Sequence, residues 1–347
     1  MPDIECRKAA NNMKSKKGLR TAAPFSFVFL LCDSKKYAMI GKYIILEKDK
    51  EGVGMSFLSY LITGISLGSV YAIIALGYTM VYGIAKMLNF AHGDVIMIGG
   101  YVVFVTVSNM GVNPYIGILI SMAVCTVLGI TIEKVAYRPL RGASPLAVLI
   151  TAIGVSYLLQ NIALLIFGAD TKAFTSVVTM PNVQLFDGKL QITGVTIVTV
   201  LACVIIMTGL TLFVKKTKAG RAMVAVSEDQ GAAKLMGINV NGTIALTFAI
   251  GSALAAIAGV LLCSAYPSLT PYTGSMPGIK AFVAAVFGGI GSIPGAMIGG
   301  ILLGIIENLS KAYISSQMSD AIVFGVLILV LLIRPTGILG RNIQEKV

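Results

Sequence analysis

Stretches of about 18 or more apolar residues recur along this chain, each long enough to cross a hydrocarbon core about 30 Å thick as a helix. Lipid offers no partner to a backbone amide, so each crossing segment must satisfy its own N–H and C=O groups. The expected fold is therefore all-α, a polytopic transmembrane helical bundle. Composition agrees: 56% of the 347 residues are hydrophobic and only 12% charged, with a mean hydropathy of +0.88.

The net charge of +12 raises the question of nucleic acid. A nucleic-acid binder gathers Lys and Arg on one folded face, whereas here the basic residues fall in short loops between apolar runs. That is the pattern of cytoplasmic loops, so membrane lipid is the expected surrounding and no nucleic acid the expected partner. Of five cysteines, Cys125, Cys203 and Cys263 lie inside apolar runs, and Cys6 and Cys32 lie near the N-terminus. No close-spaced set suits a metal, and there is one histidine.

Residues 1–54 differ from the rest, with 11 Lys/Arg against 6 Asp/Glu, and their one apolar stretch, Phe25 to Cys32, is too short to span. They read as a basic, disordered N-terminal extension or as a mis-assigned start. Lys50-Glu51-Gly52 can be encoded by a purine run resembling a bacterial ribosome-binding site, which makes Met55 a candidate start and 55–347 the membrane domain.

Within that domain, membrane segments are expected at about 57–83, 93–109, 114–132, 145–168, 191–214, 243–265 and 319–333. The loop Glu133 to Arg141, the loop Lys215 to Arg221 and the tail bearing Arg334 and Arg341 are basic and should face the cytoplasm. The loops Asp170 to Gln191 and Tyr266 to Gly278 then lie outside. A single crossing by 279–309 would put Arg334 on the wrong side. A re-entrant hairpin, or a pair of short helices broken at the glycines from Gly288 to Gly295, restores agreement. Irregular backbone at membrane depth persists only when buried or lining a wet cavity, so Gly288, Gly289, Gly291 and Ser292 are candidates for the translocation path. Glycines four apart (Gly291, Gly295 and Gly299; Gly300 and Gly304) chiefly suit close helix packing.

Catalytic equipment is missing from the sequence. No G-x-x-x-x-G-K-[ST] phosphate loop occurs, so energy must come from a partner or a gradient. His92 has no plausible partners for a nucleophile. The stretch containing Asn89, Phe90, His92, Gly93 and Asp94 interrupts two apolar segments; it reads either as part of the translocation path or as a solvated turn capped by Asp94. Gln160-Asn161 and Glu307-Asn308 read chiefly as interhelical hydrogen-bonding groups. Intramembrane Asp, Glu or Arg pairs of the kind that couple ions in a stand-alone secondary transporter look scarce.

The loop Lys215 to Asn241 is too long for a tight turn, and its middle, Arg221 to Leu235, has helical spacing. It reads as a short helix across the cytoplasmic mouth, serving either to dock a partner or merely to connect. Small residues at Gly231, Ala232 and Ala233, with Gly237 as a helix stop, leave room for another protein's groove.

Here the chain resembles the permeases of ABC importers, whose coupling helix carries E-A-A-x-x-x-G: Gly231-Ala232-Ala233 and Gly237 match all but the glutamate. From Met55 onward it resembles the branched-chain amino-acid permease subfamily, through LNFAHGD (88–94), YRPLR (137–141), AGRAMVAVSED (219–229), KAFVAAVFGGIGSIPGAMIGG (280–300) and RPTGILG (334–340). The resemblance implies a bacterial plasma-membrane channel of two homologous permeases, two ABC ATP-binding subunits and an extracytoplasmic amino-acid-binding protein. It also implies no cofactor on this chain, which is not itself an enzyme, with ATP and Mg held by the partner subunits. Coupling would pass through Glu228, Asp229, Gly231, Ala232, Ala233, Gly237 and Ile238. The expected cargo is a branched-chain amino acid; urea, a short amide or another small polar solute is the alternative.

Overall fold

The computed structural model describes residues 34–185 and 190–340. The chain divides into two units, residues 1–57 and 58–347. In the first, the described backbone is helical from Ser34, where α1 (Ser34–Ala85) begins. Residues 1–33, with Cys6, Cys32 and the Phe25 to Cys32 stretch, and Arg341 lie outside the described residues. The second unit holds the remaining elements.

After α1 the helices are α2 (His92–Val103), α3 (Pro114–Ile132), α4 (Pro145–Phe167), α5 (Gly194–Lys216), α6 (Lys218–Glu228), α7 (Gln230–Leu235), α8 (Val240–Ala265), α9 (Ser275–Gly288), α10 (Ile293–Tyr313) and α11 (Ser319–Ile333). Two strand pairs decorate one end: β1 (Lys172–Ala173) runs antiparallel to β4 (Ser268–Leu269), and β2 (Val183–Leu185) to β3 (Leu190–Ile192).

Local chemistry sets most boundaries. Side chains of Asn113, Ser144, Thr193, Asn239 and Ser292 accept the first backbone N–H groups of α3, α4, α5, α8 and α10, each cap worth about 1 kcal/mol. α1 stops where Lys86 turns to φ +56° and donates its N–H to the Tyr82 carbonyl. The segment expected to end at 109 does so, its stretch after Val103 being a π-helix to Asn109. One boundary differs from the sequence reading. The expected basic loop Glu133 to Arg141 is largely helical, α3 running on through a π-helical turn (Glu133–Tyr137) and a 3-10 turn (Arg138–Leu140). The reason is that Glu133 is buried and held by two arginines that follow it.

The core gathers around α8. In its most apolar window 72% of residues are buried inside the protein, against 17% for α5. α5 therefore turns most of its apolar surface outward, as a lipid-facing helix must. Helices meet through small residues, since van der Waals contact is what holds them in lipid. A Cβ on Gly99 would come within 2.8 Å of Ala256 Cα, and one on Gly259 would collide with the Ile96 carbonyl oxygen. α1 and α10 cross as closely and run antiparallel: Gly64 faces Ile305, Gly68 faces Ile301 and Gly304, Ala72 faces Gly300, and Gly83 faces Gly291.

The apolar stretch 279–309 is a pair of helices, α9 and α10, broken at 289–292. The second, at 21 residues, is long enough to cross fully. Gly289 and Gly291 occupy positive φ of +105° and +91° at the break. With both helices counted, α11 returns Arg334 to the end that carries the basic segments.

Candidate functional site

At the basic end, the motif segments bolt together in pairs. The Tyr137 hydroxyl donates to Asn89 Oδ1 at 2.9 Å, joining the α1–α2 junction to the end of α3. Glu133, fully buried, is paired with Arg138 at 3.2 Å and with Arg141, and Arg141 also donates to Asn241 at the start of α8. Burial draws the Arg141 guanidinium below its ordinary pKa, while the Glu133 carboxylate opposes the shift. The α9–α10 break is tied to the C-terminal segment: Ile338 N–H donates to the Phe287 carbonyl and Leu339 N–H to that of Gly288, both at 3.0 Å.

The two stretches read as a translocation path converge. Asn89 and Ile290 line one small pocket together with Tyr78, Tyr82, Phe282 and Ala285. Phe90 lies 5.6 Å from the Phe282 ring. Gly288 is a contact point, where a Cβ would collide with the Gly295 carbonyl oxygen, while a Cβ on Gly291 would meet nothing within 4 Å. Ser292 is occupied in capping α10. His92 is buried, packed 4.7 Å from the Tyr78 ring and into the notch left by Gly77. Gly93 abuts Gly274, and Asp94 is buried behind it. The alternative of a solvated turn does not hold: Asn89, His92 and Asp94 are each 4% exposed or less.

The chain between α5 and α8 forms two helices where the sequence suggested one, because Asp229 adopts an extended conformation and caps the second. Its Oδ1 accepts from Gly231 N–H at 2.7 Å and Ala232 N–H at 3.0 Å. α7 ends with Gly237 at φ +81°, Ile238 N–H donating to the Ala233 carbonyl and Gly237 N–H to that of Lys234. This paired closure is the Schellman stop that glycine favours. Ala233 packs inward, and Glu228 closes α6. Beyond it Leu235 and Met236 stand 90% and 82% exposed, and a Cβ on Gly231 would meet only the Asp229 carboxylate.

A charged cluster at the other end escaped the sequence reading. Lys280 of α9 reaches Glu307 of α10 at 2.8 Å and Asp320 of α11 at 2.7 Å. Lys311 adds a 2.6 Å contact to Glu307, and the Tyr71 hydroxyl of α1 donates to it at 2.9 Å. Four helices are thereby joined. Glu307 reads from sequence as a hydrogen-bonding group, but apart from Lys311 four residues on, its partners Lys280 and Tyr71 lie too far off along the chain to suggest themselves. Of the neighbouring amides, Asn308 reaches across to the Tyr60 carbonyl whereas Asn161 bonds within its own helix, to the Tyr157 carbonyl. Among the described residues no group of three or more His, Cys, Asp or Glu could hold a metal ion.

Fold and site together define a polytopic helical membrane protein, with buried polar ties at both ends and a short open helix displayed beyond the basic one. The family model described as branched-chain amino acid transport system / permease component matches residues 60–331, and the chain belongs to that family. It is 48% identical over 304 residues to the high-affinity branched-chain amino acid transport system permease protein LivH of Salmonella typhimurium, covering 84% of this chain and 98% of that one. BraD of Pseudomonas aeruginosa, described in the same words, matches equally well at 48% with the same coverage. A probable branched-chain amino acid transport permease LivH from Methanocaldococcus jannaschii is 30% identical over 77% of this chain and 88% of its own. Among solved structures, PsaBC from Streptococcus pneumoniae in complex with Fab aligns at 15% identity and a TM-score of 0.39, covering 86% of this chain and 97% of that one, a likeness too slight to carry a structural argument.

Proposed function

We propose that this chain is a multi-pass plasma-membrane permease subunit of an ABC importer for branched-chain amino acids. The observation that carries the reading is the match to named permeases along 98% of their length. The urea or short-amide alternative finds no support among these relatives. ATP and Mg belong to partner subunits in this reading, since the sequence lacks a phosphate loop. Two ATP-binding subunits, a second, homologous permease and an extracytoplasmic binding protein complete the machine.

The structure supports a mechanism in which α7 is the contact with the ATP-binding subunit. Its fixed caps make it a rigid lever, and its open apolar face, Leu235 and Met236, is a surface that water does not favour. Closure of the ATP-binding subunits would move Glu228 to Ile238 as a body, and with it α5 and α8 on either side. The small pocket between Asn89 and Ile290 then lies at the cytoplasmic end of the path, its irregular walls tied to the C-terminal segment. Because the external protein selects the solute, the permease needs only transient polar contacts. The test is uptake of labelled leucine by proteoliposomes containing this chain with its partner subunits and binding protein. ATP-dependent accumulation is expected; accumulation without ATP-binding subunits would remove the importer reading.

A further inference from the structure

Three carboxylates are buried among the described residues, Asp94, Glu133 and Glu307. Glu133 holds Arg138 and Arg141, and Glu307 holds Lys280 and Lys311. Asp94, 2% exposed, has no cation beside it among the described residues. Its hydrogen-bonding neighbours are neutral: Gln160 Nε2 donates to Asp94 Oδ1 at 2.9 Å, and the same amide lies 3.2 Å from Ser275 Oγ and 3.4 Å from Ser156 Oγ. The start of α2 favours a negative charge there, Asp94 being in its first turn. That is a weaker partner than a fixed ammonium.

Depth makes the site unusual. Gln160 lies fifteen residues from the start of α4 and seven from its end, about 22 Å and 10 Å along the helix axis. Opposite it, the chain read as an outer loop descends beside α2. Leu269 packs against Gly100, whereas Gly274 meets Gly93, seven residues back toward the start of α2, a drop of about 10 Å. α9 thus begins inside the bundle, with Ser275 in its first turn facing Gln160. Irregular backbone at this depth is kept where protein or a wet path encloses it. A buried acid without a counter-charge inside a membrane is costly and marks function by default.

We infer that Asp94, held by Gln160, whose amide also reaches Ser275, is the waypoint that receives the ammonium group of the amino-acid cargo as it crosses. This role rests on the importer reading proposed for the chain. A zwitterionic solute leaves water for a low-dielectric passage, and its cationic end needs one acceptor along the way. Asp94 is the buried carboxylate not already committed to a protein cation. The neutral donors keep it oriented without neutralising it, so the cargo can arrive and leave.

The test uses the complete transporter in proteoliposomes with its ATP-binding subunits and binding protein, counting leucine accumulated per ATP hydrolysed. Asp94→Asn preserves shape and a hydrogen-bonding amide but removes the charge; the ratio should fall at least tenfold, with Asp94→Glu recovering part of it. A ratio at the wild-type value, or uptake and hydrolysis falling in parallel, assigns Asp94 a structural role and overturns the proposal. If Asp94→Asn fails to assemble, Gln160→Met carries the test: it removes the donors that aim Asp94, and the ratio should fall several-fold, a wild-type ratio again overturning the proposal. Absence of ATP-dependent leucine uptake by the unmodified complex overturns the importer reading and this inference with it, whereas failure confined to the variants' ratios overturns this inference alone.

Discussion

Replacing Glu307 with glutamine removes one charge from the cluster that joins α1, α9, α10 and α11. The carboxylate is 1% exposed and accepts from Lys280, Lys311 and the Tyr71 hydroxyl. Breaking a buried pair by removing one partner costs about 3–5 kcal/mol, because the other charge is left uncompensated. Lys280 keeps Asp320 at 2.7 Å, and Lys311 is 40% exposed and can turn to water. The lower end of that range, about 3 kcal/mol, is therefore expected. Asp320→Asn removes a carboxylate whose side chain is 43% exposed; a partly solvated pair is worth roughly 1 kcal/mol or less. Both variants remove one negative charge from the same lysine, but Glu307 is buried and also holds Lys311 and Tyr71, so the comparison sets a buried hub against a half-exposed pair. Heating purified protein in detergent and following the monodisperse fraction gives the apparent melting temperature of each. Glu307→Gln should melt several degrees lower and Asp320→Asn within about a degree of the parent, scaled from those two energies. Equal shifts would show that the buried hub at Glu307 holds the cluster no more strongly than the exposed pair at Asp320.

Gly304→Leu should lower the melting temperature sharply, since a Cβ there would collide with Gly68 Cα and the α1–α10 crossing must open. Overpacking of this kind costs about 1–3 kcal/mol. Gly325→Ala, with nothing within 4 Å, should leave the temperature unchanged or raise it. Gly237→Val should impair leucine uptake more than Gly237→Asn, because φ +81° costs an ordinary residue about 1–2 kcal/mol and asparagine less. Ala232→Trp should abolish ATP-driven uptake while the protein stays in the membrane, and normal uptake would clear Ala232 of any coupling role.

Much of the architecture was legible because lipid leaves few choices. Apolar length fixed the crossing segments to within a few residues, and basic loops fixed their common end. The parity of Arg334 required 279–309 to cross an even number of times, and Gly289 and Gly291 supply the turn. What escaped was depth and distance. Pro and Gly made Tyr266 to Gly278 read as a surface loop, although its end lies against Gly93 inside the bundle. Lys280, Glu307 and Asp320 sit on three different helices, and composition does not reveal which faces meet. Glu133 to Arg141 carries the charges of a loop yet is largely helical, since Arg138 and Arg141 fold back onto a buried Glu133. Gln160 was legible as an interhelical donor, but its partner Asp94 lies 66 positions away.

The proposed mechanism requires α7 to meet an ATP-binding subunit on the cytosolic face. A cysteine replacing Leu235, 90% exposed beside Ala232, tests this directly through its reaction with a membrane-impermeant maleimide. In intact cells it should stay unlabelled beyond the parent's background. In opened membranes it should label, and in the assembled complex a bifunctional reagent should join it to the ATP-binding subunit. Labelling from outside intact cells would contradict the coupling role, because no cytosolic motor could then act through this helix.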